Sequence, residues 1–125
     1  MRKGVVVCGA NGERGWVLEK LVEEFSKKNQ SKIIQFSACS IAVSPLMMSM
    51  SGVDTTKLVT INGCRNRCAD RILENNGFKS EHSCVLDDVA QREIGPCKAT
   101  CSYAFPPPPD DEVKRFLEIC TKALV

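Results

Sequence analysis

Gly4-Val5-Val6-Val7-Cys8-Gly9-Ala10-Asn11-Gly12 is the stretch that decides the architecture. Three consecutive valines followed by glycines read as a strand buried on both faces, with Cys8 at its end and a tight turn beyond it. From Gly15 to Lys28 the period changes. Val17, Leu18, Leu21, Val22 and Phe25 recur at helical spacing, while Glu19, Lys20, Glu23, Glu24, Lys27 and Lys28 take the opposite face. The lysines of the last turn complement the helix dipole. A buried strand, a short turn and an amphipathic helix in immediate succession open a strand–helix–strand unit, and such units build parallel sheets.

The alternation continues along the chain. Lys32 to Ala38 reads as a second strand with Cys39 at its end. Pro45 suits the first turn of a short helical stretch carrying Leu46, Met47, Met48 and Met50, read as core or as a sticky surface. Thr56 to Ile61 reads as a third strand, Asn62-Gly63-Cys64 as a turn, and Arg65 to Asn76 as a helix closed by Gly77. Arg65, Arg67 and Arg71 read as a solvated face of that helix. Ser83 to Val89 is expected as a fourth strand, and Gly95 to Pro109 as a loop ending in four stiff prolines. Asp110 is expected to cap a final helix whose apolar face carries Val113, Phe116, Leu117, Cys120 and Leu124. The expected fold is α/β: a three-layer Rossmann-like sandwich around a mostly parallel central sheet of about four strands, forming a single domain over residues 1–125.

Composition narrows function by exclusion. The 125 residues are 43% hydrophobic with a net charge of +2, a globular balance too mild to argue for nucleic acid. No apolar run approaches the ~18–20 residues of a membrane span. The run after Met1-Arg2-Lys3 falls short of the ~7–15 apolar residues of an export signal, so a cytoplasmic location is expected. Cytoplasmic thiols stay reduced. The eight cysteines, about 6% of the chain, are then metal ligands, redox groups or core filler rather than disulfides.

Cys8, Cys39 and Cys64 each follow an expected strand, and parallel strands place all three at one edge of the sheet, where α/β folds bind ligands. Cys68 is expected one helical turn beyond Cys64 on the same helix face, with Cys64 at the helix N-terminus, a position that favours thiolate. Four thiolates suit a tetrahedral zinc ion, and an iron–sulfur cluster would use the same residue type. The alternative is that Cys8 and Cys39 are small core residues, since free cysteine is among the most buried types. Cys97 and Cys101 could join such a site, form a second one or make a redox pair. Cys84 and Cys120 fall on apolar faces and read as core, and His82 beside Glu81 reads as surface.

Val59-Thr60-Ile61-Asn62-Gly63-Cys64-x-x-x-Cys68 resembles the central motif of the DGC-domain zinc-binding family, named for Asp-Gly-Cys after a strand, with a second cysteine typically four residues on. Cys8-Gly9-Ala10-Asn11-Gly12 is similar to the family's first strand end, and Cys39 to the cysteine after its second strand. The resemblance runs from about Gly4 to Gly77. It implies metal binding through Cys8, Cys39, Cys64 and Cys68, and it carries no established reaction. Asn62 stands where the family has Asp, keeping an acceptor for the turn and losing the charge.

The same turn supports a competing reading. Cys8 through Arg14 also fits Cys-x5-Arg between a strand and a helix, which resembles the phosphate loop of low-molecular-weight tyrosine phosphatases and arsenate reductases. Cys8 would be the nucleophile, Arg14 the oxyanion binder, and Asp110 or Asp111 the general acid. Gly15 stands where those enzymes usually carry Ser or Thr, and Glu13 puts a negative charge inside the anion cradle.

Overall fold

The computed structural model describes residues 2–95 and 105–124. Cys97 and Cys101 lie outside the described residues. The elements run β1 (Lys3–Val7), α1 (Gly12–Lys28), β2 (Ile33–Ser37), α2 (Ala38–Val43), α3 (Leu46–Met50), β3 (Leu58–Asn62), α4 (Cys68–Asn75), β4 (Ser80–Val85), α5 (Leu86–Ala90) and α6 (Asp110–Lys122). The four strands form one sheet in the order β2-β1-β3-β4, and every pairing is parallel. The α/β sandwich with a parallel central sheet is therefore borne out.

Each face of the sheet carries its own apolar layer. On one, α1 sets Val17, Leu18, Leu21, Val22 and Phe25 against Val5, Val59 and Ile61, and α5 and α6 complete the layer with Leu86, Val89 and Phe116. On the other, Val6, Phe36 and Leu58 meet Ala38 and Ile41 of α2, Met48 of α3, and Ala69 and Leu73 of α4. Alternate residues of the Val5-Val6 pair thus serve opposite layers, as a strand buried on both faces requires. The methionine stretch divides. Met48 is fully buried, whereas Leu46 and Met50 are 72% and 84% exposed.

Several boundaries shift by one to three residues, with α1 opening at Gly12 and β3 running on through Asn62, and four differences have a clear local reason. Residues 38–43 form a helix that was not anticipated. Ser37 ends β2 and caps α2, its Oγ accepting from the Ser40 N–H at 3.1 Å, so Cys39 sits in the first helical turn. Helix α4 begins at Cys68 rather than Arg65, because Arg67 adopts a left-handed backbone (φ 51°) that a helix cannot continue through. Strand β4 spans Ser80–Val85 rather than Ser83–Val89; the apolar residues beyond it recur as Leu86, Val89 and Ala90, a helical spacing, with Asp87 and Asp88 in the first turn. Asp110 is the first helical residue of α6 instead of its cap, with Pro109 in the cap position.

Helix α6 is fixed by both apolar and polar contacts. Phe116 meets Phe25 of α1 edge-to-face, ring centroids 6.2 Å apart. The carboxylate of Glu112, 1% exposed, accepts from Arg92 Nε at 2.9 Å. Arg115 donates to the carbonyls of Val89 and Ala90 at the end of α5. Because the aromatic pair sits inside the larger layer, Phe116→Ala is expected to lower unfolding free energy by about 3–5 kcal/mol, read by urea denaturation. Unchanged stability would show that α6 does not contribute to the core.

Candidate metal centre

The topology brings the strand ends carrying cysteines next to one another. In register, Val7 of β1 lies between Ser37 of β2 and Ile61 of β3. Cys8 extends the ladder by one step, its N–H donating to the Ile61 carbonyl at 2.9 Å. Cys8, Cys39 and Cys64 therefore leave the sheet at one edge from three neighbouring strands spaced ~4.8 Å apart. Helix α2, which holds Cys39, packs on α4, which opens with Cys68. Gly9 leaves room beside Cys39: a Cβ at Gly9 would stand 3.7 Å from Cys39 Sγ.

All four thiols are unbridged. Cys39 and Cys68 are exposed, and Cys8 and Cys64 are half-buried. Cys8 also borders an open groove of about 530 Å³ along α1 toward Gln35 of β2. Among the described residues, no group of three or more His, Cys, Asp or Glu is placed to hold a metal ion. The four thiols share an edge without closing on a point. The expected helical pairing of Cys64 with Cys68 is corrected: Cys64 lies in the turn ahead of the left-handed Arg67, and Cys68 takes the helix start.

Two glycine contacts and one arginine hold the edge together. A Cβ on Gly63 would fall 2.7 Å from Ala10 Cβ, and one on Gly15 would fall 2.2 Å from the Ala10 carbonyl oxygen. Only glycine at these positions lets the loop after β1, the start of α1 and the loop after β3 touch. Arg14, 8% exposed, then crosses the junction. Its Nη1 donates to the Gly63 carbonyl at 2.7 Å and to Asp87 Oδ1 at 2.5 Å. Its Nη2 donates to the Ile94 carbonyl at 2.9 Å, and its Nε to that of Gly95 at 3.0 Å. The guanidinium is neither solvated nor turned toward an incoming oxyanion; its donors are committed to the protein. The phosphatase-like reading needs a free Arg14 fork beside Cys8 and gains no support.

Sequence reasoning missed this role, although the signal was present. Arg14 continues the apolar face of α1 by one turn, three and four residues before Val17 and Leu18.

A second polar hub lies at the start of α4. Asp70 accepts from four side chains: Thr60 Oγ1 at 2.6 Å and Ser80 Oγ at 2.8 Å on Oδ1, and Ser83 Oγ at 2.6 Å and Asn62 Nδ2 at 3.1 Å on Oδ2. Burial raises the affinity of its carboxyl for a proton, but the donors from Ser83, Thr60, Ser80 and Asn62 outweigh it and hold the group below its ordinary value. Asn62, fully buried, works in both directions. Its Oδ1 accepts from the Ala69 N–H at 3.1 Å, the acceptor role expected for the turn, while its amide donates to Asp70. Around this hub Arg65, Arg67 and Arg71 are all exposed, as expected, but only Arg71 lies on α4: Arg65 pairs with Asp88 at 2.9 Å ahead of the helix, and Arg67 supplies the left-handed break.

This geometry makes Asn62→Asp informative. A carboxylate at position 62 keeps the bond from Ala69 but meets Asp70 Oδ2 without a proton to donate. A loss of about 1–3 kcal/mol is expected at neutral pH, and adding Asp70→Asn should recover most of it. Asp70→Asn alone tests the pH dependence. The folded carboxyl is held below its ordinary 3.8, so its stabilising contribution is complete above that value and lost as pH falls through the lower folded one. Urea unfolding of wild type and Asp70→Asn should differ most at neutral pH and converge in acid; parallel curves would remove the network's role.

A profile of the DGC domain matches residues 4–104, which contain Cys8, Cys39, Cys64 and Cys68. No curated protein and no solved structure matches the chain. No helix among the described residues is long and apolar enough to cross a membrane. With the match covering most of its length, and with the strand, turn and cysteine positions in place around it, the chain belongs to the DGC-domain family.

Proposed function

We propose that the protein binds a zinc ion through Cys8, Cys39, Cys64 and Cys68, in a structural, metal-handling or redox-sensing role in the cytoplasm. The observation that carries this reading is the adjacency of three neighbouring strand ends at one sheet edge, each followed by an unbridged thiol, with a fourth thiol at the start of the helix beside them. The donor set is soft, as zinc prefers, and an iron–sulfur cluster is the alternative occupant. When bound, zinc would cross-link the three loops.

The chain's own residues prepare that edge. Arg14 fixes the Gly63 carbonyl next to Cys64, and Ala10 against Gly63 sets the spacing between the first and third loops. The Asn62 amide and Asp70 carboxylate tie the start of α4, and with it Cys68, to the end of β3. Because the thiols are not gathered at one point, ion binding and loop ordering are coupled, and metal should raise the melting temperature as well as bind. Four thiolates around zinc leave no open position for water, which favours a closed site over hydrolysis.

The test is metal analysis of protein purified without added metal, combined with thermal melts before and after chelation. About one zinc per chain is expected from a four-thiolate site. Chelation should lower the melting temperature, and Cys64→Ser or Cys68→Ser should cut occupancy several-fold. Zinc and iron both far below one per chain, with chelation leaving the melt unmoved, would overturn the reading.

A further inference from the structure

Cys84 on β4 and Cys120 on α6 are left over by the metal reading. Both are buried, at 7% and 0% exposure, and their sulfurs stand 3.8 Å apart. Cys120 lies beyond the residues matched to the DGC domain, so the pair joins that domain to the helix that follows it. The two residues are 36 apart in sequence, and the segment between them contains Cys97 and Cys101.

We propose that Cys84 and Cys120 form a reversible disulfide, a redox-sensitive staple between β4 and α6 that peroxide closes and small thiols open. The geometry supports this in three ways. The two sulfurs face each other inside one apolar layer that also holds Phe116, Val89 and Ile61, and of the described cysteines these two alone are buried in it. Helix α6, which carries Cys120, is held on α1 by the Phe116–Phe25 contact and on α5 by the Arg115 bonds, and α5 directly follows the Cys84-bearing β4, so both sulfurs are presented 3.8 Å apart from elements that are already anchored. Cys84 retains slight exposure while Cys120 has none, which orders their roles.

The Cys120 thiol donates to Cys84 Sγ, which lowers the proton affinity of Cys84 against the opposing effects of burial, Asp70 and Asp88. The same hydrogen bond, followed by burial, holds the proton on Cys120. Cys84 is then the attacking sulfur and Cys120 the resolving one. In the first step the Cys84 thiolate attacks one oxygen of hydrogen peroxide, forming a sulfenic acid and releasing hydroxide. In the second, Cys120 sulfur attacks the sulfenic sulfur; the S–S bond forms, the S–O bond breaks, and the departing oxygen leaves as water with the Cys120 proton. Two thiols and one peroxide give one disulfide and two waters. A dithiol reductant reverses the step by thiol–disulfide exchange.

The experiment is peptide mapping of the intact protein without reduction, after brief treatment with hydrogen peroxide and removal of excess. A cross-linked peptide pair joining Cys84 to Cys120 is expected, lighter by two hydrogens than its components and abolished by dithiothreitol. The melting temperature should rise by several degrees on oxidation and return on reduction, because the bond closes a long loop. Cys120→Ser should abolish the cross-link and the shift, and should leave a trappable sulfenic acid at Cys84. Cys64→Ser should retain both, which separates this outcome from failure of the metal reading. Free thiols at both positions after Cys39 and Cys68 have been oxidised, or cross-links that pair either residue elsewhere, would overturn the proposal. The wild-type mapping decides even where a variant fails to fold.

Discussion

A single guanidinium organises the functional edge of this protein. Arg14 is drawn into the junction between α1, the loop after β3 and the segment ending at Gly95, and it donates to three carbonyls and one carboxylate there. Buried backbone carbonyls need donors, and loops at the end of a sheet cannot obtain them from a ladder. A planar fork with five N–H groups can serve several such acceptors at once, which a lysine ammonium cannot do with the same geometry. Asp87, a quarter exposed, balances the charge from the start of α5. The close approach of Ala10 to Gly63 sets the distance that the fork then spans. The approach of the loops after β1 and β3 is therefore set by backbone contact and by this one guanidinium.

The Asp70 hub solves a different problem on the other side of Cys68. A carboxylate near the end of a parallel sheet is costly to bury unless its lone pairs are filled. Thr60 and Asn62 supply donors from β3, and Ser80 and Ser83 from β4, so both strands are tied to α4 through one side chain. This arrangement explains why Asn suits position 62, where the family motif carries Asp. The turn needs an acceptor for the Ala69 N–H, which either residue provides. The neighbouring carboxylate needs a donor, which only the amide provides at neutral pH. The charge lost at Asn62 is matched by a negative charge at Asp70, eight residues on and held ionised by its neighbours.

The strands and long helices were legible because their apolar periods are unambiguous. Val5 to Val7, the α1 face from Val17 to Phe25, and the α6 face through Phe116 and Cys120 each follow one period without interruption. Legibility failed where a short element depended on a single residue. Helix α2 rests on the Ser37 cap, and the start of α4 rests on the left-handed Arg67, a conformation that bulky residues rarely signal. The Leu86–Ala90 run misled because a short apolar stretch fits strand and helix alike. At the site, the strand-end positions of Cys8, Cys39 and Cys64 could be read from alternation alone. The roles of Arg14 and Asp70 could not, because they depend on carbonyls and hydroxyls brought together from distant positions. The alternation of Thr60 and Asn62 within a wholly buried strand was the one sequence sign that a polar partner must lie nearby.

The thiols divide by environment in a way that assigns them different chemistry. At the sheet edge, Cys39 and Cys68 are open to solvent, Cys8 and Cys64 are half-buried, and the loops that carry the latter two are held together by Arg14 and Gly63. Under the proposed reading these are the thiols that would turn toward an ion. Between β4 and α6, Cys84 and Cys120 are enclosed by apolar side chains, and among the described residues no group of metal-ligating side chains gathers there. What remains available to two enclosed thiols in contact is to share a proton or to share a bond. Ion binding at the edge would act on the loops after β1, β2 and β3, whereas bond formation below would act on β4 and α6. The two sets lie on different elements of the same sheet, and the Asn62–Asp70 hub, bonded to Ser80, Ser83 and the Cys84 carbonyl of β4, is the physical link between them.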